Sequence, residues 1–172
     1  MYLMKAQRIA VVLLCLSAGW LIIDLQVHAQ NEDKAATPVL TFEPELADYM
    51  RELAVLTHKL GLAVDAVNLK LTQFYHRESF YKALEIVKVF PNYEGDPVAK
   101  LMSSTLLDAY YNIKDGIDAQ PTDFEVLNHQ YDTLVNRCNV CHAATDRAYL
   151  KVMRNHENPY LIDFSNTYKA EN

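Results

Sequence analysis

Residues 44–67 read PELADYMRELAVLTHKLGLAVDAV. Leu46, Met50, Leu53, Thr57, Leu60, Val64 and Val67 return at alternating spacings of four and three. That spacing places one stripe of side chains along a helix, a seam that only another helix can cover. The predicted first helix therefore runs from 44 to 67, with Pro44 in its first turn. Asn68 follows as a cap for a second helix over 69–88, where Leu71, Phe74, Phe80, Leu84 and Val87 are the expected buried positions.

Gly and Pro are scarce beyond this point and fall at boundaries. The stretch VFPNYEGDP at 89–97 breaks the chain, and AQPTD at 119–123 breaks it again. Asp96-Pro97 opens a third helix that buries Val98, Met102, Leu106, Ala109, Ile113 and Ile117. Thr122 with Glu125 three residues later reads as a capping box for the fourth. Its face is Phe124, Leu127, Tyr131, Leu134, Cys138 and Cys141. No β-branched alternation competes. The predicted fold is all-α: an antiparallel four-helix bundle over 44–146 with short connections. An irregular C-terminal tail, 147–172, has no helical cap and lies across the bundle.

The chain has 172 residues, 51% of them hydrophobic and 22% charged, a globular composition with enough length for a core. Its formal net charge is -6, with no basic stripe, which argues against nucleic acid as a partner. The N-terminal segment has a different character. Lys5 and Arg8 precede an apolar run from Ile9 to Ile23, and Val27-His28-Ala29 offers small residues at a peptidase site. This is the pattern of a secretory signal peptide, 1–29. Asp24 closes the run short of the roughly 20 residues that span a bilayer. Cys15 follows Leu14, too large a residue for a lipoprotein site. Export without a stable membrane anchor follows, with a polar arm at 30–43 ahead of the bundle.

Removing the signal leaves two cysteines, Cys138 and Cys141, in the stretch NRCNVCHAATDR at 136–147. C-x-x-C-H is the attachment signature of haem c. Each thiol adds to one vinyl group and the next histidine ligates iron from one face. On a helix, positions i, i+3 and i+4 share a side, so Cys138, Cys141 and His142 project together. They continue the buried face of the fourth helix, which sets one haem against the core. Three other readings fit less well. A thioredoxin-like pair calls for a βαβ context. A zinc site calls for about four ligands. A disulfide between i and i+3 on a helix is strained.

A four-helix bundle with CNVCH near the end of its last helix resembles the class II c-type cytochromes, the cytochrome c′ group. The resemblance covers residues 44–146. More loosely, YMRELAVLTHKLGLAVDAVNLKLTQFYHRE at 49–78 followed by CNVCHAAT at 138–145 is similar to a poorly characterised set of exported bacterial haem proteins of that type. The resemblance implies that Cys138 and Cys141 carry the haem and that His142 is the proximal ligand. Two features depart from the family. Its basic residue after the motif comes soon, whereas Arg147 comes later here, and the tail beyond 147 is longer.

Seven residues could supply the opposite ligand: Met50, Met102, Met153, His58, His76, His129 and His156. In an up-down bundle, the end of the fourth helix neighbours the starts of the first and third. Met50 and Met102 lie about 9 and about 8 Å into their helices, level with the motif, whereas His58 lies about 12 Å deeper than Met50. His76 lies about 18 Å from the end of its helix and reads as a surface or bundle-edge group. His129 shares a helix with His142 and cannot reach the far face. Met50 is the leading candidate.

Two functions compete. One is a periplasmic electron carrier with Met/His ligation, its acidic surface suited to a basic redox partner protein. The other is a five-coordinate haem protein that binds or senses NO or CO at an apolar open face. Peroxide catalysis would need a placed acid-base group, and the sequence marks none, so the chain reads as a carrier or binder and not as an enzyme. Bundles of this type pair through their first two helices, so a homodimer is a candidate assembly, though no decisive exposed stripe marks it. Export carries its own expectation: the periplasmic form begins near Gln30. Intact mass checks this. A cleaved chain also lacks tryptophan fluorescence, since Trp20 lies in the signal, and a fluorescent species would show a retained anchor.

Overall fold

A computed structural model describes residues 45–165. The chain divides into two units, Met1–Glu43 and Pro44–Asn172. The expected signal peptide at 1–29 and arm at 30–43, with Trp20, lie outside the described residues. Within them are four helices and no strand: α1 Leu46–Asp65, α2 Leu69–Val89, α3 Val98–Asp118 and α4 Phe124–Ala144. Each packs on its neighbours in chain order and α4 closes on α1, while across one diagonal the Thr57 hydroxyl of α1 meets the Tyr110 hydroxyl of α3 at 3.1 Å. The packing runs antiparallel. Tyr49 near the start of α1 meets Phe90 just beyond α2, with ring centroids 5.1 Å apart, and Glu52 pairs with Lys82 at 2.8 Å. The fold is an all-α four-helix bundle.

The seams of α1, α3 and α4 bury as their spacing demands. Leu53, Thr57, Leu60 and Val64 of α1, all six expected residues of α3, and Leu127, Tyr131 and Leu134 of α4 are buried. Leu46, Met50, Phe124, Cys138 and Cys141 are half-buried against that core. One close approach fixes how α1 meets α4. A Cβ on Gly61 would fall 2.5 Å from the Tyr131 ring, so glycine is what lets the ring come this close to the helix. The Tyr131 hydroxyl then donates to the Thr57 carbonyl at 3.1 Å.

The α2 face differs from its expectation. Thr72, Tyr75, His76, Ser79, Ala83 and Ile86 are buried, Phe74 is exposed, and Leu71, Phe80, Leu84 and Val87 are only half-buried. The largest apolar side chains flank this seam, while polar ones sit in it. They do so because each has an internal partner. Thr72 Oγ1 donates to the Asn68 carbonyl, Ser79 Oγ to the Tyr75 carbonyl, and His76 Nε2 to the Tyr110 carbonyl at 2.8 Å. His76 is therefore a core residue, not a surface group.

Caps account for the remaining differences. Asn68 caps α2 as expected, its Oδ1 accepting from the Leu71 N–H. Asp123, not Thr122, caps α4, accepting from the Glu125 and Val126 N–H groups, while Thr122 Oγ1 donates back to the Ile117 and Ala119 carbonyls. Asp96 serves Arg147 instead of a helix end, at 2.6 Å. The tail after α4 is irregular through residue 165 and returns along the bundle, and its Phe164 is buried against Tyr75.

Val67 leaves the predicted seam for a tight turn. The Asn68 N–H reaches the Ala63 carbonyl and the Val67 N–H reaches the Val64 carbonyl, a Schellman closure that needs left-handed backbone at Val67. Its φ is 53° and its side chain is exposed. A β-branched residue is strained there. Val67→Gly is expected to raise stability by about 1 kcal/mol, relief of the strain exceeding the added unfolded-chain entropy. Thermal unfolding should show a midpoint a few degrees higher; an unchanged or lower one would show that Val67 carries no strain.

Candidate functional site

The motif occupies the last two turns of α4. Cys138 and Cys141 are free thiols on the core side of that helix, and His142 is the residue next to Cys141. Core packing places the thiols inward: Leu127, Tyr131 and Leu134 form the buried stripe of α4, and positions 138 and 141 extend it by helical repeat. The spacing that brings the three residues to one side therefore holds in the folded chain.

Burial governs the chemistry of these thiols. It pushes Cys138 up to about 11, with the neighbouring Cys141 adding to the effect. Cys141 is also raised, first by burial and then by Asp96. A redox-active pair works through a thiolate held low by positive charge or a helix N-terminus. This pair has the opposite environment, at a helix C-terminus in apolar surroundings. Both thiols stay protonated at neutral pH. The arrangement suits a pair whose sulfurs end in covalent bonds better than a dithiol that cycles.

His142 is held by the tail. Its Nδ1 lies 2.6 Å from the Leu150 carbonyl oxygen, and a carbonyl only accepts, so the Nδ1 proton is donated there. In the neutral ring Nε2 is then the nitrogen that carries the lone pair. This is the tautomer a metal-ligating histidine needs, set by a partner on its other nitrogen. The stretch after the motif is pinned as well. Arg147 donates to Glu94 and Asp96 in the α2–α3 connection, each at 2.6 Å, and to the Thr145 carbonyl.

The opposite-ligand candidates separate by position. Tyr131 meets α1 between Thr57 and Gly61, and eleven residues further along α4, about 16 Å, brings His142 level with Leu46 to Met50 on the antiparallel α1. Met50 is half-buried at the edge of the core there. Met102 is 1% exposed, packed wholly within the core. Both nitrogens of His58 are taken by the tail: Nε2 donates to the Asn155 carbonyl at 3.1 Å and Nδ1 accepts from the Tyr160 hydroxyl at 2.9 Å. His156 donates to Asp65 at 2.8 Å. Met153 and His129 are exposed, and His76 is spent on Tyr110. His76 also lines a separate cleft of about 460 Å³ between α2 and α3, with Phe80, Tyr111 and Lys114. Among the described residues no group of three or more His, Cys, Asp and Glu side chains could hold a metal ion by itself, and no helix is long and apolar enough to cross a membrane.

Sequence reasoning missed the Leu150 carbonyl and Asn139, which fixes the tail beside it through Val152. No side-chain signal marks a backbone carbonyl; Asn139 sat in plain view inside the motif.

The raised Cys138 thiol makes a pH signature. Burial favours the neutral form, so the folded value lies above the unfolded one near 9. The associated stability is whole below pH 9 and is lost as pH rises to about 11, up to about 3 kcal/mol. With both thiols free, the chain should therefore lose stability faster than Cys138→Ala across that window in thermal melts. Parallel profiles would show an open thiol. Tyr110 and Tyr131, also raised by burial, are common to both chains.

Compared with protein-family models, with curated proteins and with solved structures, the chain matches none of them.

Proposed function

We propose that the chain is an exported monohaem c-type cytochrome of the class II kind, an electron carrier of the periplasm. The observation that carries the reading is the group on the last turns of α4: two inward thiols at i and i+3, and a histidine whose Nδ1–H is engaged so that Nε2 carries the lone pair. Cys138 and Cys141 would hold the haem by thioether bonds and His142 would ligate its iron. The bound group supplies reversible one-electron exchange.

The chain's own residues do the rest. Two covalent attachments remove any dissociation equilibrium, as suits a carrier that leaves its site of assembly. Leu53, Ile86, Leu106 and Met102 are buried in the same core that Cys138 and Cys141 pack against, an apolar wall that would keep water and its dielectric away from a bound haem. Met50 is the proposed sixth ligand. It lies level with His142 by the α1–α4 register, and its half-buried thioether can turn without opening a hole in a packed core. A thioether opposite histidine favours the ferrous state. The net charge of -6 suits a basic protein partner.

Two measurements test this. Haem should stay with the polypeptide in acid acetone and stain on a denaturing gel; its release into the solvent would end the cytochrome reading. In the ferric protein a weak near-infrared sulfur-to-iron band is expected, and Met50→Ala should abolish it, lower the potential and open the iron to carbon monoxide. Ready carbon monoxide binding by the unmutated ferrous protein, with no sulfur band, would favour the gas-binding function and reduce Met50 to packing. Met50→Ala would then cost about 1 kcal/mol through lost apolar contact at the core edge.

A further inference from the structure

The tail returns antiparallel to α4, and its first part makes a regular series of attachments. Arg147 is pinned to the α2–α3 connection. The Leu150 carbonyl accepts from His142 at 2.6 Å. Two residues on, Val152 is clamped from both sides by one amide: its N–H donates to Asn139 Oδ1 at 2.8 Å and its carbonyl accepts from Asn139 Nδ2 at 2.9 Å. Two residues further, Arg154 donates to Asp132 at 2.7 Å, to Asn128 and to Asp65, with its guanidinium over the Tyr131 ring. Leu150 thus hangs between two anchors, one at Arg147 and one at Asn139 with Arg154.

Residues 147–150 form a turn closed by the Leu150 N–H on the Arg147 carbonyl at 2.9 Å, and beyond it the segment has no ladder of its own. A shift of one residue along α4 beyond that turn would draw the Leu150 carbonyl away from His142. The Asn139 amide forbids that slip, because it matches one residue's N–H and C=O together. Arg154 reinforces it by spanning α4 and α1 at once.

We infer that the tail segment 147–154 is a positioning strap for His142, held in register by Asn139 and Arg154, and that it sets how strongly His142 donates to the haem iron. The inference rests on the haem reading for its effect at the iron, but the strap itself does not. A histidine whose Nδ1–H is given to a carbonyl is a more basic ligand at Nε2, which stabilises the higher oxidation state. With the strap in place the ferric form is favoured; with it released the potential rises. Asn139 and Arg154 are positioning residues and touch no reacting atom.

The test uses the full chain, as isolated and reduced, with Asn139→Ala and Arg154→Ala compared with wild type. Asn139→Ala lies within the motif, so Arg154→Ala guards against a mere failure of haem attachment. In wild type the exchangeable Nδ1 proton of His142 should be visible by NMR and slow to exchange. In either variant its exchange should speed at least tenfold. The ferrous-to-ferric ratio at a fixed applied potential should rise about tenfold, which is 59 mV for a one-electron couple. Asn139→Asp keeps the acceptor but loses the donor, and Arg154→Lys keeps one ion pair; both should fall between. Unchanged proton exchange in both variants overturns the strap. Faster exchange with an unmoved potential overturns its control of the iron. Haem lost to acid acetone would sink the cytochrome reading and the effect at the iron with it, while the exchange result would still decide the strap.

Discussion

The bundle is organised around one backbone carbonyl and one hydroxyl, both of Thr57. Tyr131 of α4 donates to the carbonyl, and Tyr110 of α3 meets the hydroxyl oxygen at 3.1 Å. Three helices are thereby tied at one residue. Two tyrosines can lie in an apolar core only because their hydroxyls are satisfied there, and Gly61 makes the approach of the Tyr131 ring sterically feasible. Because helices rise by a fixed amount per residue, one such junction sets every other level in the bundle. The level of Cys141 and His142 on α4, Met50 on α1 and Met102 on α3 follows from it. A candidate site built from three helices needs a common register, and this junction supplies it.

What could be read from the sequence follows from what is local. The α1, α3 and α4 seams were legible because large apolar residues there coincide with the helical repeat. The α2 seam was not, because its repeat runs through Thr72, His76 and Ser79, whose partners lie one turn away or on another helix. Hydrophobicity alone picked Phe74, which is exposed. Val67 kept the spacing of α1 but not its conformation, since Asn68 both caps α2 and closes α1. Asp123 displaced Thr122 as the α4 cap by one residue, the ordinary ambiguity of adjacent capping side chains.

The candidate site divides the same way. The side shared by Cys138, Cys141 and His142 was legible because i, i+3 and i+4 need only a helix. The partner of His142 was not, because it comes from a segment with no periodicity, eight residues on, through a backbone atom. His58 shows the reverse error. Counted as a free imidazole it was a candidate ligand, yet both of its nitrogens serve the tail.

An irregular tail on a helical bundle raises a question of hydrogen bonds. Such a segment has no ladder, and backbone groups taken out of water need partners. The bundle provides them from polar side chains that otherwise look like surface residues. His142 takes the Leu150 carbonyl, Asn139 takes both groups of Val152, and His58 takes the Asn155 carbonyl. Asn68 takes the carbonyls of Phe164 and Ser165 with the nitrogen of the same amide whose oxygen caps α2. Apolar contacts act beside these bonds: Phe164 is buried against Tyr75, and Val152, Tyr160 and Ile162 are half-buried against the core. The tail is therefore fixed by specific directional bonds as well as by burial. Directional bonds are what a histidine orientation requires: greasy packing would hold the segment near α4 without choosing which backbone atom faces His142.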